Sequence, residues 1–493
     1  MEALLKLFSL KLIASLFGVL YSILQVRYFG ASRIVEVFFA AQSLVYLVTS
    51  LAQGGQLSEV FLPEYHRLNL ISKGLGFKAL NIVINRMFFL ATILSIPIFF
   101  LAPIFIDVLV PGFSEGDKKM AVLIFRILLP CLYFQLFNLF FATVLNAEEK
   151  FEKAEVLGFT NVIINLICII TLYQYIGIWA LVTSLLLGKF LEFVFYISQL
   201  YKIKYRYHFI LRSEEFDHAD FFKTIRSTFL YVGATQIYSI VLTASISFLP
   251  EGVYAIFRYV QNLANRIKGL FIQPFITIFF TKYSQLLQDS KSLLNEFIKN
   301  IQGILKVNTI VIVVVILLGI SVLNFLWGSN KFDASDVSSA QVFLVFNSIG
   351  ILFSGVGSLY RKMAISHGKG KVLYRYWSVS QLLSALLSFF LIKYFDINGL
   401  LFIIPLNIFL ISIVSYTVYI RTKNSFKFYF LNKENIESLI LIALAAAINF
   451  ILGKFSTSFN NSYQLIFLMF VTLVLCLKPL YSLYRLFNSK NTL

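Results

Sequence analysis

Long apolar stretches separated by short polar turns run through the whole chain. A membrane-spanning helix needs about 20 mostly apolar residues, and the hydropathy pattern predicts about fourteen such helices. Of the 493 residues, 59% are hydrophobic and only 13% are charged, which lies outside the range of soluble domains. The pattern therefore predicts an all-α polytopic membrane protein, and we expect its first span to be retained as an anchor.

Polar residues recur at helical spacing in the first, second and seventh spans. These stripes include Lys11 and Ser15 in the first span, Thr49 and Gln53 in the second, and Gln236 in the seventh. A single polar residue in a span usually serves helix packing. Continuous stripes on several helices instead favour a wet cavity that these helices share.

The most polar span is the eighth, within residues 251–280. Its polar residues are Arg258, Gln261, Asn262, Asn265, Arg266 and Lys268. Charge at membrane depth is costly unless it faces protein or water, so this helix is expected to line the cavity. The alternative is a cytoplasmic helix end whose basic side chains reach the interface, but apolar sequence extends on both sides of Arg258.

Weak internal matches at a constant offset indicate a repeat of six spans. Residues 35–39 (VEVFF) match residues 253–257 (VYAIF), and at the same offset residues 61–65 (FLPEY) match residues 279–283 (FFTKY). An even number of spans gives both copies the same orientation. We therefore expect two pseudo-symmetric six-helix lobes around a central cavity, at 1–201 and 222–421. A cytoplasmic linker at 202–221 joins them, and two additional transmembrane helices follow at 422–493.

The net charge of +18 is distributed unevenly between alternate loops. Loops assigned to the cytoplasm are rich in Lys and Arg, whereas outer loops hold few, which predicts that both termini are cytoplasmic. The excess positive charge suits contact with anionic membrane lipids. With this distribution we expect no nucleic-acid partner.

Residues that carry enzymatic or metal chemistry form no recognisable pattern. Cys131, Cys168 and Cys476 all fall in apolar spans, and the four histidines have no metal-ligand or catalytic spacing. No phosphate-binding Walker sequence is found. Lys189 and Glu192 lie one turn apart and are expected to neutralise each other. We expect no cofactor, no metal and no catalytic residue, and hence no enzyme.

Several short motifs stand out along the chain. They are residues 27–31 (RYFGA), Glu36 before the pair Phe38 and Phe39, residues 61–63 (FLP), residues 111–113 (PGF) and residues 144–147 (VLNA). Together they resemble the MurJ (MviN) family of lipid II flippases, in the multidrug/oligosaccharidyl-lipid/polysaccharide (MOP) exporter superfamily. The resemblance covers most of the chain and is stronger in the first lobe.

The resemblance implies an alternating-access flippase in the bacterial inner (cytoplasmic) membrane, acting as a monomer. Its substrate would be a polyprenyl-diphosphate-linked sugar precursor for cell-envelope glycan synthesis, either lipid II-like or an O-antigen or capsule unit. Ser15, Thr49 and Gln261 stand where the family places arginines. Lys11, Arg258, Arg266 and Lys268 would supply the positive charge instead.

The resemblance also points to Glu36 as a gating acid near the outer end of the cavity, paired with Arg33 or with a base of the opposite lobe. The alternative is an exposed carboxylate at the start of its own helix.

Two other functions remain open at this point. A cation-coupled multidrug exporter of the same superfamily would need buried carboxylates for its coupling ion. A membrane glycosyltransferase or polymerase would need acidic or histidine groups on large outer loops, which the sequence lacks.

Overall fold

The computed structural model describes residues 2–53, 57–72, 74–214, 216, 218–276, 290–366, 369–420, 433–455 and 461–488. Helices account for nearly all of these residues, and the β pairing among them is an isolated bridge between Ser329 and Phe332. The predicted all-α architecture is confirmed. The chain forms two compact units, Met1–Ala255 and Ile256–Leu493. The predicted boundaries of lobes, linker and C-terminal pair stay predictions.

The first unit is built from consecutive helices joined by short turns. They are α1 (Glu2–Phe29), α2 (Arg33–Gln53), α3 (Leu57–Ile71), α4 (Leu75–Phe100), α5 (Ala102–Leu109), α6 (Glu115–Leu128), α7 (Cys131–Ala147), α8 (Phe151–Ile176), α9 (Trp179–Lys202), α10 (His218–Ile246) and the start of α11 (Val253–Phe271). Local chemistry fixes several ends. The Ser114 hydroxyl accepts a hydrogen bond from the Asp117 N–H and so caps α6.

Helix α2 lies at the centre of the first unit. It packs against α4, α5, α6, α7 and α10, and residues 35–41 are all buried. Seven consecutive residues cover every face of a helix, so protein surrounds this part of α2.

The second unit continues α11 and adds α12 (Ser290–Trp327), α13 (Ala334–Ser366), α14 (Gly370–Ile420), α15 (Lys433–Phe455) and α16 (Asn461–Asn488). The last two helices pack against α12. Their shared core includes Ile312 and Ile316 of α12, Ala445 of α15 and Leu468 of α16. The opposite faces of α15 and α16 expose large apolar side chains such as Phe450 and Phe470, as expected of helices that face lipid.

Helix α14 is broken at Asp396. A straight helix of its 51 residues would be about 75 Å long, which is over twice the thickness of a bilayer's hydrocarbon core. Asp396 adopts φ 49° and ψ −128°, and the Gly399 backbone lies directly against the Leu391 carbonyl. The break thus divides α14 into two helices.

Ten helices of the described residues are long and apolar enough to cross a membrane. The bent pair α6 and α7, with 42° between them, makes eleven if it is taken as a single span. This number counts α14 as one span despite its break. It does not include α11, because that helix is too polar to pass as an apolar span. The exact number of fourteen stays a prediction.

Candidate functional site

Glu36 of α2 is bound to the first turn of α11. Its Oε1 atom accepts hydrogen bonds from the backbone N–H groups of Gly252 at 2.9 Å, Tyr254 at 3.0 Å and Ala255 at 3.4 Å. The first N–H groups of a helix have no partner within the helix, and they carry its positive dipole end. A carboxylate is therefore well suited to this position. Glu36 is only 1% exposed, so it is not the exposed carboxylate of the alternative interpretation.

Arg33 holds the other oxygen of the same carboxylate. Its Nη1 atom lies 2.7 Å from Glu36 Oε2, as a charge contact without the angle of an aligned hydrogen bond. The Arg33 guanidinium also lies 4.6 Å from the centre of the Phe113 ring. Since a buried carboxylate is costly without partners, this ion pair and the three N–H groups together make its burial tolerable.

A second carboxylate, Glu251, binds the start of α2. Its Oε1 atom accepts a hydrogen bond from the Arg33 backbone N–H at 2.8 Å. Glu36 thus caps α11, and Glu251, just before α11, caps the first turn of α2. The two helix starts are joined by reciprocal charge-to-backbone contacts.

Two glycines allow close backbone approaches beside these contacts. The Gly112 N–H donates to the Ser247 hydroxyl at 3.0 Å, and a Cβ atom at position 112 would lie 2.3 Å from the Ser247 carbonyl oxygen. Gly252 has a φ of 92°, and a Cβ atom there would lie 2.9 Å from the Ala31 carbonyl oxygen. Any larger residue at position 112 would push α10 away from the turn that precedes α6.

We name these contacts the outer closure, formed by Arg33, Glu36, Gly112, Ser247 and residues 251–255. Just beyond them along α2, the Ser43 and Tyr254 hydroxyls lie 3.1 Å apart. From the loop charges, this end of the helices is predicted to face the outside. The closure lies wholly within the first unit.

The other predicted cavity residues of the first unit differ in their burial. Ser15 and Gln236 are half-buried, and Thr49 is buried with its hydroxyl donating to the Val45 carbonyl of its own helix. The side chains of Lys11 and Gln53 lie outside the described residues.

Helix α11 separates its apolar and polar residues onto two faces in the second unit. The Tyr259 ring packs against Trp327 at 6.2 Å and Phe332 at 6.5 Å between ring centres. The polar face comprises Arg258, Gln261, Asn262, Arg266 and Lys268, which are half-buried, and Asn265, which is exposed. Arg258 Nη1 lies 3.4 Å from Gln261 Oε1. The predicted cavity helix therefore keeps its polar face accessible.

The structure adds a basic residue from outside α11. Arg361 lies on α13, close enough to Lys268 for their like charges to interact. Its guanidinium lies 5.7 Å from the centre of the Trp377 ring. Its distance in sequence from α11 explains why the pattern of α11 alone did not include it.

Lys189 and Glu192 form an ion pair of 2.8 Å inside the first unit, and Glu192 is buried. Within the described part of the chain, no group of three or more His, Cys, Asp or Glu residues is arranged to hold a metal ion.

The helical architecture defines the class of all-α membrane proteins with many spans. The chain superposes with a TM-score of 0.63 on a structure described as an inward-facing conformation of a multidrug resistance MATE family transporter of the MOP superfamily. The two are 16% identical, and the match covers 90% of this chain and 98% of that chain. At this identity the likeness shows the fold alone.

The family follows from the sequence comparison. The model of a family described as "Lipid II flippase MurJ" matches residues 25–474, so the chain belongs to the MurJ family. A "Probable lipid II flippase MurJ" of Buchnera aphidicola subsp. Baizongia pistaciae is 23% identical, over 92% of this chain and 89% of its own length. One of Rickettsia prowazekii is 24% identical, over 59% of this chain and 58% of its own length.

A solved structure agrees with this family. It is described as "Lipid II flippase MurJ, inward closed conformation" and superposes with a TM-score of 0.77 at 21% identity. The match covers 97% of this chain and 99% of that chain. The resemblance seen in the sequence is thus confirmed.

Proposed function

We propose that this protein flips a polyprenyl-diphosphate-linked sugar precursor from the inner to the outer leaflet for cell-envelope glycan synthesis. The observation that carries this proposal is the family match, which spans residues 25–474 and so includes the polar stripes of the second, seventh and eighth spans. The substrate is lipid II-like, or another lipid-linked unit such as an O-antigen or capsule precursor. The activity is transport and not catalysis.

The outer closure suits one step of an alternating-access cycle. With α2, α10 and the start of α11 held together, a path along these helices is blocked at the outer end. Opening would expose the Glu36 carboxylate and the N–H groups of α11 to water, which can solvate both. The contacts can therefore break and re-form at modest cost, as a gate requires. We assign Glu36 and Arg33 to this gate.

The basic groups of α11 suit a diphosphate. An unpaired diphosphate in a low-dielectric site is strongly unfavourable, and guanidinium groups bind phosphate through two parallel hydrogen bonds. Arg258 lies nearer the outer end of α11, and Arg266 and Lys268 lie nearer the other end. We propose that the headgroup passes from Arg266, Lys268 and Lys11 towards Arg258. Ser15, Thr49, Gln53, Gln236, Gln261, Asn262 and Asn265 would contact the sugar.

A cation-coupled multidrug exporter is less well supported. Such a protein needs a carboxylate that is free to bind its ion. Of the described residues, the buried carboxylates Glu36 and Glu192 are already engaged, by three N–H groups and Arg33 and by Lys189, respectively. A membrane glycosyltransferase has no support from a family of flippases.

The remaining features rest on the loop charges and on the family. We propose an inner-membrane protein with both termini in the cytoplasm, working as a monomer among anionic lipids and without nucleic acid.

The deciding experiment is depletion of the protein in cells followed by identification of lipid-linked sugars. We expect one polyprenyl-diphosphate sugar to accumulate and to remain inaccessible to an enzyme added outside spheroplasts. Re-expression of the wild-type chain restores access. Unchanged lipid-linked sugars, together with altered drug efflux, would favour the exporter.

A further inference from the structure

Residues 203–212, here named the strap, leave the end of α9 and lie along α4. Three side chains of α4 donate hydrogen bonds to strap carbonyls. They are Asn81 to Arg206 at 3.2 Å, Asn85 to Ile210 at 3.0 Å and Arg86 to Leu211 at 2.9 Å. In return, the Tyr207 hydroxyl donates to Asn85 Oδ1 at 2.7 Å. We name these four hydrogen bonds the ladder. They hold the strap against α4 in addition to its role of joining α9 to α10.

An aromatic pocket of about 420 Å³ lies between α4, α7, α9 and the strap. Its wall includes the rings of Phe88, Phe89, Phe137, Phe141, Phe193 and Tyr205. Phe89 and Phe209 are 43% and 63% exposed, and their rings lie 6.1 Å apart. The apolar run of α4 begins just after Arg86, so these rings lie where the water interface meets the hydrocarbon. The pocket therefore has access to lipid chains.

Exposed basic side chains at the end of α9 and on the strap lie close in sequence to residues that line this pocket, and we name them its rim. Lys202, Lys204, Arg206 and Arg212 are all exposed, and within the described ranges none of the ion pairs involves them. Arg212 is also close enough to Arg86 for their like charges to interact. Like charges gathered at one site favour an anionic ligand, and arginine suits phosphate in particular.

We propose that the strap and the aromatic pocket bind an anionic phospholipid of the leaflet that the loop charges assign to the cytoplasm. Its phosphate lies against Arg206 and Arg212, and one acyl chain enters the pocket between the Phe88 and Phe193 rings. A soluble phosphate could contact only the basic rim. A zwitterionic lipid could place a chain in the pocket but has no net negative charge for the rim. This site is separate from the polar stripes proposed to carry the flipped substrate, so it does not depend on the proposed function.

The test is titration of the full-length, detergent-purified protein with phosphatidylglycerol, followed by native mass spectrometry. Arg206→Ala combined with Arg212→Ala removes two rim charges and leaves the backbone carbonyls of the ladder in place. Each basic residue near an anionic headgroup is worth roughly a fivefold change in binding, so we expect about 25-fold weaker binding. The matched control is Lys369→Ala with Lys371→Ala, two exposed charges of the second unit, and it should bind as the wild type does.

Two further experiments test the pocket and the identity of the ligand. Phe89→Ser with Phe209→Ser should also weaken phosphatidylglycerol binding, because it removes exposed rings without touching the rim charges. Glycerol phosphate at the same concentration should not displace the lipid. Equal binding by the Arg206/Arg212 variant and its control would overturn the site. So would displacement by glycerol phosphate, or equally tight binding of phosphatidylcholine.

Discussion

The Glu36 carboxylate accepts a hydrogen bond from the Tyr254 backbone N–H at 3.0 Å, across 218 positions of sequence. This contact ties the first turn of α2 to the first turn of α11. The same oxygen atom also accepts hydrogen bonds from two other backbone N–H groups. The negative charge of the carboxylate therefore contributes more to this contact than the shape of the side chain does.

Glu36→Gln keeps an acceptor oxygen but removes the charge and the ion pair with Arg33. A charge at a helix start contributes up to about 2 kcal/mol, so we expect the outer closure to open about tenfold more often. The measurement is labelling of Ser43→Cys by an impermeant maleimide from outside, with Ser43→Cys alone as control. Export should fall severalfold at normal protein level. Identical labelling rates would remove Glu36 from the gate.

Gly112→Ala should prevent the outer closure from forming. The added Cβ would lie 2.3 Å from the Ser247 carbonyl oxygen, a backbone atom that cannot rotate away. We expect a loss of export of at least about tenfold, with the protein still inserted in the membrane. Gly116→Ala is the matched control, because its Cβ would meet nothing nearer than Ser114 Oγ at 3.8 Å. Normal export by Gly112→Ala would show that this approach is not needed.

Substitutions at Arg258 should separate charge from geometry. Arg258→Lys keeps the charge but loses the planar fork, so partial export is expected, whereas Arg258→Glu should abolish it. Complementation of glycan export in depleted cells, with membrane levels checked by blot, measures both. Lys371→Glu, on an exposed residue of the same unit, is the control. If Arg258→Ala exports normally, α11 does not contact the headgroup through this residue.

The loop charges make a topology prediction. Single cysteines at Lys202 and Lys331, both exposed, should label from opposite sides of the membrane, with Lys331 outside. The native cysteines are buried and should contribute little background. Labelling of both positions from one side would overturn the assignment of the strap to the cytoplasmic leaflet.

Asp333 caps α13 and predicts a small dependence of stability on pH. Its Oδ1 atom accepts hydrogen bonds from the Ser335 hydroxyl and the Ser335 and Asp336 N–H groups, which lower the pKa of the carboxyl. A lowered pKa means that the stabilisation is full above the unfolded-state pKa and is lost as pH falls through the folded one. Asp333→Ala should therefore lower Tm at neutral pH, and this difference should shrink in acid. Ser338→Ala, further along α13, is a control.

The spans could be predicted because apolar runs of membrane length have few alternative structures. The polar stripe of α11 could also be predicted, because its residues recur with the helical period. These features depend on residues near each other in sequence.

The contacts that join distant segments could not be predicted in this way. Sequence reasoning offered either Arg33 or a base of the opposite lobe as the partner of Glu36. It did not find the N–H groups of α11 or the role of Glu251, because backbone donors carry no sequence signal. The ladder from Asn81 and Asn85 to the strap was missed for a related reason, since buried asparagines in a span fit many packing partners.

Fastening of the strap fixes the connection between α9 and α10 to the body of the first unit. Asn81, Asn85 and Arg86 hold it to α4 as far as Leu211. Further along, Phe216 is 2% exposed and belongs to the same core cluster as Tyr205. The separation of α9 and α10 is therefore expected to depend on these contacts and not on the number of linker residues alone.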